Sequence, residues 1–219
     1  MFVIETAFTV LAAPLIGVAV ASRRSRLSEH LTCGGAKKDA LRRAWAAAWP
    51  LAVGVTGFVL ASAILVLAFP GDPDNVFSLV AVSHTTLWAA SLALAALGAV
   101  CASTFSDPLD AAACSVGVAL LTATGVLVVG PAVAEAPTGA INAALVASPI
   151  VATASAANID ILRTDVLYRL SPLAHIRFDY PAWHSAFACY VVFALACFLA
   201  MTVNFNRRGR TFPAERISP

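Results

Sequence analysis

The segment ASRRSRLSEHLTCGGAKKDALRRAWAAAWP, Ala21–Pro50, concentrates positive charge in a chain that is otherwise 60% hydrophobic. It contains two acidic residues and seven bases, which are Arg23, Arg24, Arg26, Lys37, Lys38, Arg42 and Arg43. Four more bases follow the last apolar run, at Arg207, Arg208, Arg210 and Arg216. Most of the 14 Lys and Arg residues therefore lie in two short segments.

The composition is that of a polytopic membrane protein. Mean hydropathy is +0.84. Only 12% of the residues are charged, about half of the roughly 25% that is typical of soluble domains. Apolar runs of about 20 residues recur, and each could cross a hydrocarbon core of ~30 Å as a helix. The net charge of +2 is too small to indicate a nucleic-acid partner.

The apolar runs predict an all-α fold with about five transmembrane helices in one domain. The runs are bounded by basic residues or by turn-forming clusters such as PGDPDN, residues 70–75. The predicted spans cover about residues 2–22, 44–69, 77–104, 111–134 and 184–205. A further apolar segment, 138–158, is rich in small residues and has Pro149 inside it.

The basic clusters predict the orientation. The positive-inside rule places both clusters in the cytoplasm, so the N-terminus lies outside and the fourth span ends outside. If segment 138–158 crossed, the C-terminal cluster would lie on the wrong side. We therefore expect that 138–158 is re-entrant, because a Pro-broken, Ala-rich segment can be packed against protein at membrane depth.

The residues after the re-entrant segment predict an interfacial helix, 159–173, on the outer membrane surface. Five apolar residues lie on one helical face, at Ile159, Leu162, Val166, Leu170 and Leu173. Charged residues cover the opposite face, and acids balance bases there, so nothing draws this helix to the cytoplasm. Tyr180 and Trp183 are expected to anchor the last span at headgroup level.

The opening segment also predicts a cytoplasmic projection over residues 23–43. SRLSEHLTC, residues 25–33, could form a short helix that ends at the glycine pair after it, and a second helix would start at about Ala36. Such a projection could dock on a soluble partner, whereas a plain positive-inside loop would have none. The predicted coupling residues are Leu27, Glu29, Leu31, Lys37 and Lys38.

With these elements the chain resembles the permeases of the type-two family of ATP-binding-cassette (ABC) exporters. LGAVCASTFSDPLDAAACS, residues 97–115, is similar to the family's small-residue turn G-x-x-x-S-x-x-F-x-x-P-x-x-A. The matching residues are Gly98, Ser103, Phe105, Pro108 and Ala111, with Ser103 and Phe105 one residue closer than in that pattern. The order of elements is similar over nearly the whole chain, including an external hairpin before the last span.

The resemblance implies a transport subunit of the bacterial cytoplasmic membrane. It would couple ATP hydrolysis by a separate ATPase subunit to export of a substrate, with no catalytic residue and no cofactor of its own. A second permease subunit, either a copy or a relative, would be its partner in the bilayer. The chain differs in lacking the family's N-terminal interfacial helix and first span, as expected of a shortened subunit completed by another chain.

Two other interpretations remain open. His84 and His184 could ligate a b-type haem near the outer face, which would make the chain an accessory subunit of a redox complex. The chain could also be a scaffold without a transport role. Glu5, at the outer end of the first span, is almost the only acid in the spans, which argues against a buried carboxylate relay. Small residues in AASLALAALGAVCAS, 89–103, permit close packing within the protein or with a second permease.

Overall fold

The computed structural model describes residues 2–29, 36–68, 76–128, 137–161 and 180–208, and these ranges are helical without strands. Their helices are α1 (Phe2–Glu29), α2 (Ala36–Ala68), α3 (Val76–Thr104), α4 (Pro108–Val128), α5 (Thr138–Ala147), α6 (Pro149–Ala156) and α7 (Trp183–Arg208). Five of them are long and apolar enough to cross a membrane. The predicted all-α fold with about five spanning helices is thus confirmed.

The spanning segments lie close to the predicted ones. They are Glu5–Arg23, Ala44–Ile64, Phe77–Thr104, Pro108–Val126 and Trp183–Phe205. The fourth begins three residues before the predicted start, because Pro108 is favourable in the first turn of a helix. Asp107 also accepts a hydrogen bond from the Leu109 backbone N–H at 2.9 Å, which satisfies a donor of that first turn.

The closest contact in the bundle joins α1 to α3 through two glycines. A Cβ atom added at Gly17 would lie 2.0 Å from the Ala95 carbonyl oxygen, and one added at Gly98 would lie 2.1 Å from the Pro14 carbonyl oxygen. Both distances are far inside van der Waals contact, so only glycine fits at either position. The two backbones therefore touch directly, as small residues allow in membrane helices.

Helix α7 runs in the same direction as α3. Near its start, Ala186 shares a buried cluster with Ala89 and Ala90 of α3. Near its end, the Asn204 side-chain amide donates to Ser103 Oγ at 3.1 Å, at the end of α3. The beginnings of α3 and α7 therefore lie at one face of the bundle, and their ends lie at the other.

Helix α1 also runs parallel to α3, whereas α2 runs against it. Glu5 and His84 meet near the start of α1 and α3, and both helices continue from there to the opposite face. Ser62 reaches His84, and the earlier residue Thr56 accepts a hydrogen bond from Trp88, which follows His84 in α3. The pairing order is thus reversed along α2, as expected for helices joined by a short connection.

Helices α5 and α6 form a pair bent by 88° at Ser148. Ser148 Oγ donates to the Ala123 carbonyl oxygen of α4 at 2.9 Å, which fixes the corner against α4 before that helix ends. Pro149 occupies the first position of α6, where its missing N–H costs nothing. By length and composition the pair is either one broken span, which would make six, or a re-entrant loop.

Helix α1 does not end at Arg24, so residues 25–29 of the segment that could form a short helix, 25–33, belong to α1. It continues without a break to Glu29. The physical reason lies in the sequence, because neither Gly nor Pro occurs between Gly17 and the glycine pair at 34–35. Residues 30–35 lie outside the described residues.

The predicted interfacial helix, 159–173, is described only at its beginning. Asn158 has a φ of 56°, in the left-handed region that commonly ends helices. The Ile159 N–H bonds back to the Ala154 carbonyl oxygen at 2.9 Å, which closes the C-terminus of α6. Residues 162–179 lie outside the described residues, so the helix itself stays a prediction.

The close contact of α1 with α3 at Gly17 and Gly98 predicts that replacement of glycine by alanine has opposite effects on stability at Gly98 and at Gly57. Gly98→Ala should lower the free energy of unfolding by about 1–3 kcal/mol, because its methyl group overlaps a backbone oxygen that cannot move alone. Gly57→Ala on α2 is the control, since nothing lies within 4 Å of its added Cβ. There alanine should be neutral or stabilising by up to about 1 kcal/mol. Unfolding of both variants in mixed micelles measures the difference, and equal stabilities would contradict the close crossing.

Candidate functional site

Three polar side chains from three helices meet near one end of the bundle. The basic clusters predict that this end faces outside. Glu5 lies in the first turns of α1, Ser62 near the end of α2, and His84 in the early part of α3. The side chains of Glu5 and His84 are only 11% and 5% exposed. Ionisable groups inside membrane segments are costly to bury, and they commonly mark functional sites.

Glu5 and Ser62 both face the same ring nitrogen of His84. The Glu5 Oε1 atom lies 3.6 Å from His84 Nε2. Ser62 Oγ lies 3.4 Å from the same Nε2 and donates a hydrogen bond to Glu5 Oε1. The cluster therefore links α1, α2 and α3 through one carboxylate, one hydroxyl and one imidazole.

The other ring nitrogen of His84 is held by the backbone of its own helix. Nδ1 lies 2.8 Å from the Val80 carbonyl oxygen. Because a carbonyl oxygen can only accept, Nδ1 carries the hydrogen of this bond. The ring orientation is thus fixed with Nε2 directed toward Glu5.

This arrangement does not match a Ser–His–acid catalytic triad. In a triad the acid orients the imidazole through Nδ1–H, and Nε2 takes the proton of the serine hydroxyl. Here Glu5 and Ser62 share Nε2, and Nδ1 is taken by Val80. Ser62 also donates a hydrogen bond to Glu5 Oε1. The geometry therefore does not support nucleophilic catalysis by Ser62.

A hydroxyl pair extends the polar region from α1 to α6. Thr6 Oγ1 and Thr153 Oγ1 lie 3.4 Å apart, and both residues are buried. Thr9 Oγ1 donates to the Glu5 carbonyl oxygen at 2.8 Å. The bent pair is therefore attached to the helix that carries Glu5.

An apolar cavity of about 310 Å³ lies between α2, α3 and α7. Aromatic and aliphatic side chains line it, including Trp45, Trp88, Leu92, Phe198 and Met201. Among the described residues that line it, none carries a carboxylate or a basic group. Its chemistry could accommodate a hydrocarbon group, but it offers no charge that would select a polar substrate.

Four of the predicted coupling residues have described backbones, and these lie at the opposite end of the bundle from Glu5. The backbones of Leu27 and Glu29 belong to the last turns of α1, and those of Lys37 and Lys38 to the first turn of α2. The side chains of these four residues lie outside the described part of the chain, as does all of Leu31. Their role therefore stays a prediction.

The two predicted haem ligands have different surroundings. His84 has its Nε2 directed at Glu5 and Ser62, so iron binding there would require both contacts to break. His184, in the first turn of α7, is exposed, and its ring packs edge-on against Trp183 at 5.9 Å. Within the described ranges no three His, Cys, Asp or Glu side chains converge as metal ligands. Haem ligation stays a prediction.

The pairing of Glu5 with His84 is the feature that the sequence interpretation missed. By its position in the sequence Glu5 is an end residue of the first span, and this position argues against a buried carboxylate relay. The signal was present, because alternating spans place Glu5, Ser62 and His84 at similar depth. What the sequence does not give is the rotation of each helix, and this rotation turns the three side chains toward one another.

Comparison with known proteins identifies no relative. No family model matches the chain, and neither a curated protein nor a solved structure matches it. The function must therefore be argued from the topology and from the sites described above.

A double-mutant cycle tests the Glu5–His84 contact. Glu5→Gln and His84→Gln should each lower the free energy of unfolding by about 1–3 kcal/mol, because each leaves a buried polar partner poorly satisfied. The double variant should lose less than the sum by about 1 kcal/mol or more. Glu5→Gln combined with His184→Gln is the control, and its effects should add. Additive effects in the Glu5–His84 cycle would contradict a direct interaction.

Proposed function

We propose that this chain is the membrane-spanning subunit of an exporter-type ABC transporter in a bacterial cytoplasmic membrane. A separate ATPase subunit would drive it, and a second permease subunit would complete the transport path. The observation that carries the proposal is the placement of the bent α5–α6 pair between α4 and α7, which run in opposite directions. This order of elements is that of the family which the sequence resembles.

The directions of the helices support a re-entrant pair. Helices α3 and α7 run in the same direction. The short turn 105–107 joins the end of α3 to the start of α4, so α4 runs in the opposite direction to α3. Helix α4 therefore ends at the face where α7 begins. A pair that crossed the bilayer would leave the chain at the wrong face to enter α7.

Packing around the ends of the pair supports the same conclusion. Val126 near the end of α4, Ile141 of α5 and Ile161 after α6 share one buried cluster. Tyr180, just before α7, packs against that cluster. The chain thus enters and leaves the α5–α6 pair at one end of the bundle, while Ser148 lies deeper, against Ala123.

The positive charges then fall on a single side. Arg23 ends the first spanning segment and Arg42 precedes the second. Arg207 follows the last spanning segment, which runs parallel to the first. By the positive-inside rule this side is cytoplasmic, which gives an outside N-terminus and a cytoplasmic C-terminus. Glu5, His84 and the bent pair then belong to the outer half.

The cytoplasmic side offers a docking projection. Helix α1 continues for six residues beyond Arg23 and α2 begins eight residues before Ala44. At 1.5 Å per residue, these extensions reach roughly 9–12 Å past the apolar segments. Such rigid extensions of two spanning helices could transmit movement of a docked ATPase directly into the bundle.

The transport path is proposed to lie between two subunits. The described residues that line the cavity among α2, α3 and α7 are apolar and carry no charged group. Only 28% of the spanning segment of α4 is buried within the chain, and Leu109 and Leu121 are among its exposed residues. A second permease subunit could cover such a face, and a path could open between the two.

Impermeant thiol labelling tests the topology. Single cysteines at Asn75, Thr164 and Ser28 would be placed in a background from which the native cysteines have been removed. Positions 75 and 164 should react from outside, whereas position 28 should react only after the membrane is opened. Reaction of position 164 from the cytoplasm alone would show that the α5–α6 pair crosses.

Substitution in the projection tests ATPase docking. Leu27→Asp combined with Leu31→Asp should reduce recovery of an associated ATPase more than tenfold, because burial of each leucine is worth roughly 1.5–3 kcal/mol. Ser25→Asp combined with Ser28→Asp is the matched control, since it adds the same charge without removing an apolar group. Pull-down from membranes with equal amounts of each variant gives the comparison. Unchanged recovery with the leucine variant, or equal loss with both, would oppose the proposed docking.

A further inference from the structure

The apolar cavity between α2, α3 and α7 opens on a surface that the chain presents to lipid. Only 18% of the spanning segment of α2 and 22% of that of α7 are buried within the chain. Two side chains that line the cavity, Trp45 of α2 and Leu195 of α7, are 62% and 58% exposed. The opposite side of the cavity is formed by α3, where Ala89 and Ala99 are buried. The cavity therefore lies open between α2 and α7 and is closed by α3.

The volume of the cavity fits hydrocarbon. It is about 310 Å³, whereas an apolar cavity of about 150 Å³ already takes up a benzene-sized molecule and stays dry. Protein interiors are otherwise close-packed, with few voids larger than a water molecule. The described lining residues are Trp, Phe, Leu, Val, Met and Ala, which offer no charged group. In a bilayer such a volume is filled by part of an apolar chain.

The length of the cavity matches one leaflet of the bilayer. Trp88 and Ala99 both line it, and they lie roughly 16 Å apart along the axis of α3 at 1.5 Å per residue. Half of a hydrocarbon core of ~30 Å is about 15 Å. Trp88 lies near the middle of the span Phe77–Thr104, whereas Trp45 lies at the start of the span Ala44–Ile64. The cavity thus runs from the middle of the membrane to the end of the bundle where the bases lie.

Exposed bases lie at that end of the cavity. Arg42 is exposed and precedes Trp45 by about one turn of α2. Residues three apart are neighbours on a helix surface, so the Arg42 guanidinium can reach a group that lies beyond Trp45. Arg207, near the end of α7, is also exposed. A guanidinium forms strong, charge-assisted hydrogen bonds with a phosphate group, so this end favours an anionic headgroup.

We propose that the cavity binds an anionic glycerophospholipid, with one acyl chain against α3 and the phosphate group beside Arg42. The lipid belongs to the leaflet on the side of the basic clusters, and its chain fills the volume between α2 and α7. Helix α4, whose exposed face is proposed for a second permease subunit, contributes none of the described lining residues. The lipid site is therefore separate from that interface, and it does not depend on the proposed ABC function.

Quenching of Trp88 fluorescence by brominated acyl chains tests for a lipid in the cavity. Trp88 lies between α2 and α7, because its Nε1 donates to Thr56 Oγ1 at 2.9 Å and its ring stacks on that of Phe187 at 6.5 Å. The chain has four tryptophans, and replacement of those at positions 45, 49 and 183 by Phe leaves Trp88 alone. The full-length protein is placed in phosphatidylcholine nanodiscs that contain a rising fraction of phosphatidylglycerol, with bromine on the distal half of its chains.

The quenching curve should saturate and give a preference for phosphatidylglycerol over phosphatidylcholine of about fivefold, as expected of one base near the headgroup. Unbrominated phosphatidylglycerol, added at a constant fraction of the brominated lipid, should reverse the quenching. A linear curve, equal to that of brominated phosphatidylcholine, would show contact with bulk lipid only and would overturn the proposal. So would the absence of quenching by either lipid, which is the result expected if a second copy of the chain covers the cavity.

A pair of alanine variants locates the acyl chain. Ala194 lines the cavity, whereas Ala196 is exposed on the same helix and is not among the described lining residues. Ala194→Leu fills part of the cavity and should abolish the saturable quenching, whereas Ala196→Leu should leave it unchanged. Equal curves for the two variants would overturn the proposal. Displacement by unbrominated lipid needs neither variant, so it decides the question if Ala194→Leu does not fold.

A pair of arginine variants locates the headgroup. Arg42→Gln should lower the preference for phosphatidylglycerol about fivefold, to near one, because the base beside the phosphate is lost. Arg23→Gln is the matched control, since it removes the same charge from the same end of the bundle. Arg23 lines a separate cavity together with Pro108 of α4, so this variant should keep the preference. An equal loss with both variants would show only a general attraction of the basic surface and would overturn the site.

Discussion

The direct backbone contact between α1 and α3 at Gly17 and Gly98 is the constraint on which the other contacts depend. It sets the separation, and with it the relative rotation, of the two parallel helices. Because Glu5 and His84 lie on the same two helices as these glycines, that rotation also turns them toward each other. In a bilayer the hydrophobic effect does not draw helices together, so close packing and polar contacts must do so. Here Gly17 and Gly98 allow the close packing. The side chains of Glu5, Ser62 and His84 supply the polar contacts.

Helix α3 is the centre around which the rest is arranged. Its spanning segment is 61% buried, against 18% for α2 and 22% for α7. The small residues at Ala89, Ala90 and Ala93 face the clusters shared with α7 and with Ala152 of α6, while Gly98 faces α1. The small-residue composition of α3 is therefore explained by contacts within the chain on several of its sides.

The sequence was sufficient for the fold class and for the five spans, because apolar length and bounding charges determine both. It was also sufficient to locate the break at Pro149. It was not sufficient to distinguish packing within the chain from packing with a partner for residues 89–103, since small residues permit either. The Glu5–His84 contact was beyond reach for a related reason, because hydropathy gives the depth of a residue but not the direction in which its side chain points.

The parallel arrangement of α1 and α3 has a consequence for biosynthesis. During translation α1 enters the membrane before α3 has been made, so Glu5 and Gly17 first meet lipid or the insertion machinery. Neither the imidazole that pairs with Glu5 nor the backbone that covers Gly17 exists at that time. By the positive-inside rule the bases that follow Ser22 would favour one orientation of α1 in the meantime. Glu5 acquires its partner His84 only when α3 has entered the membrane.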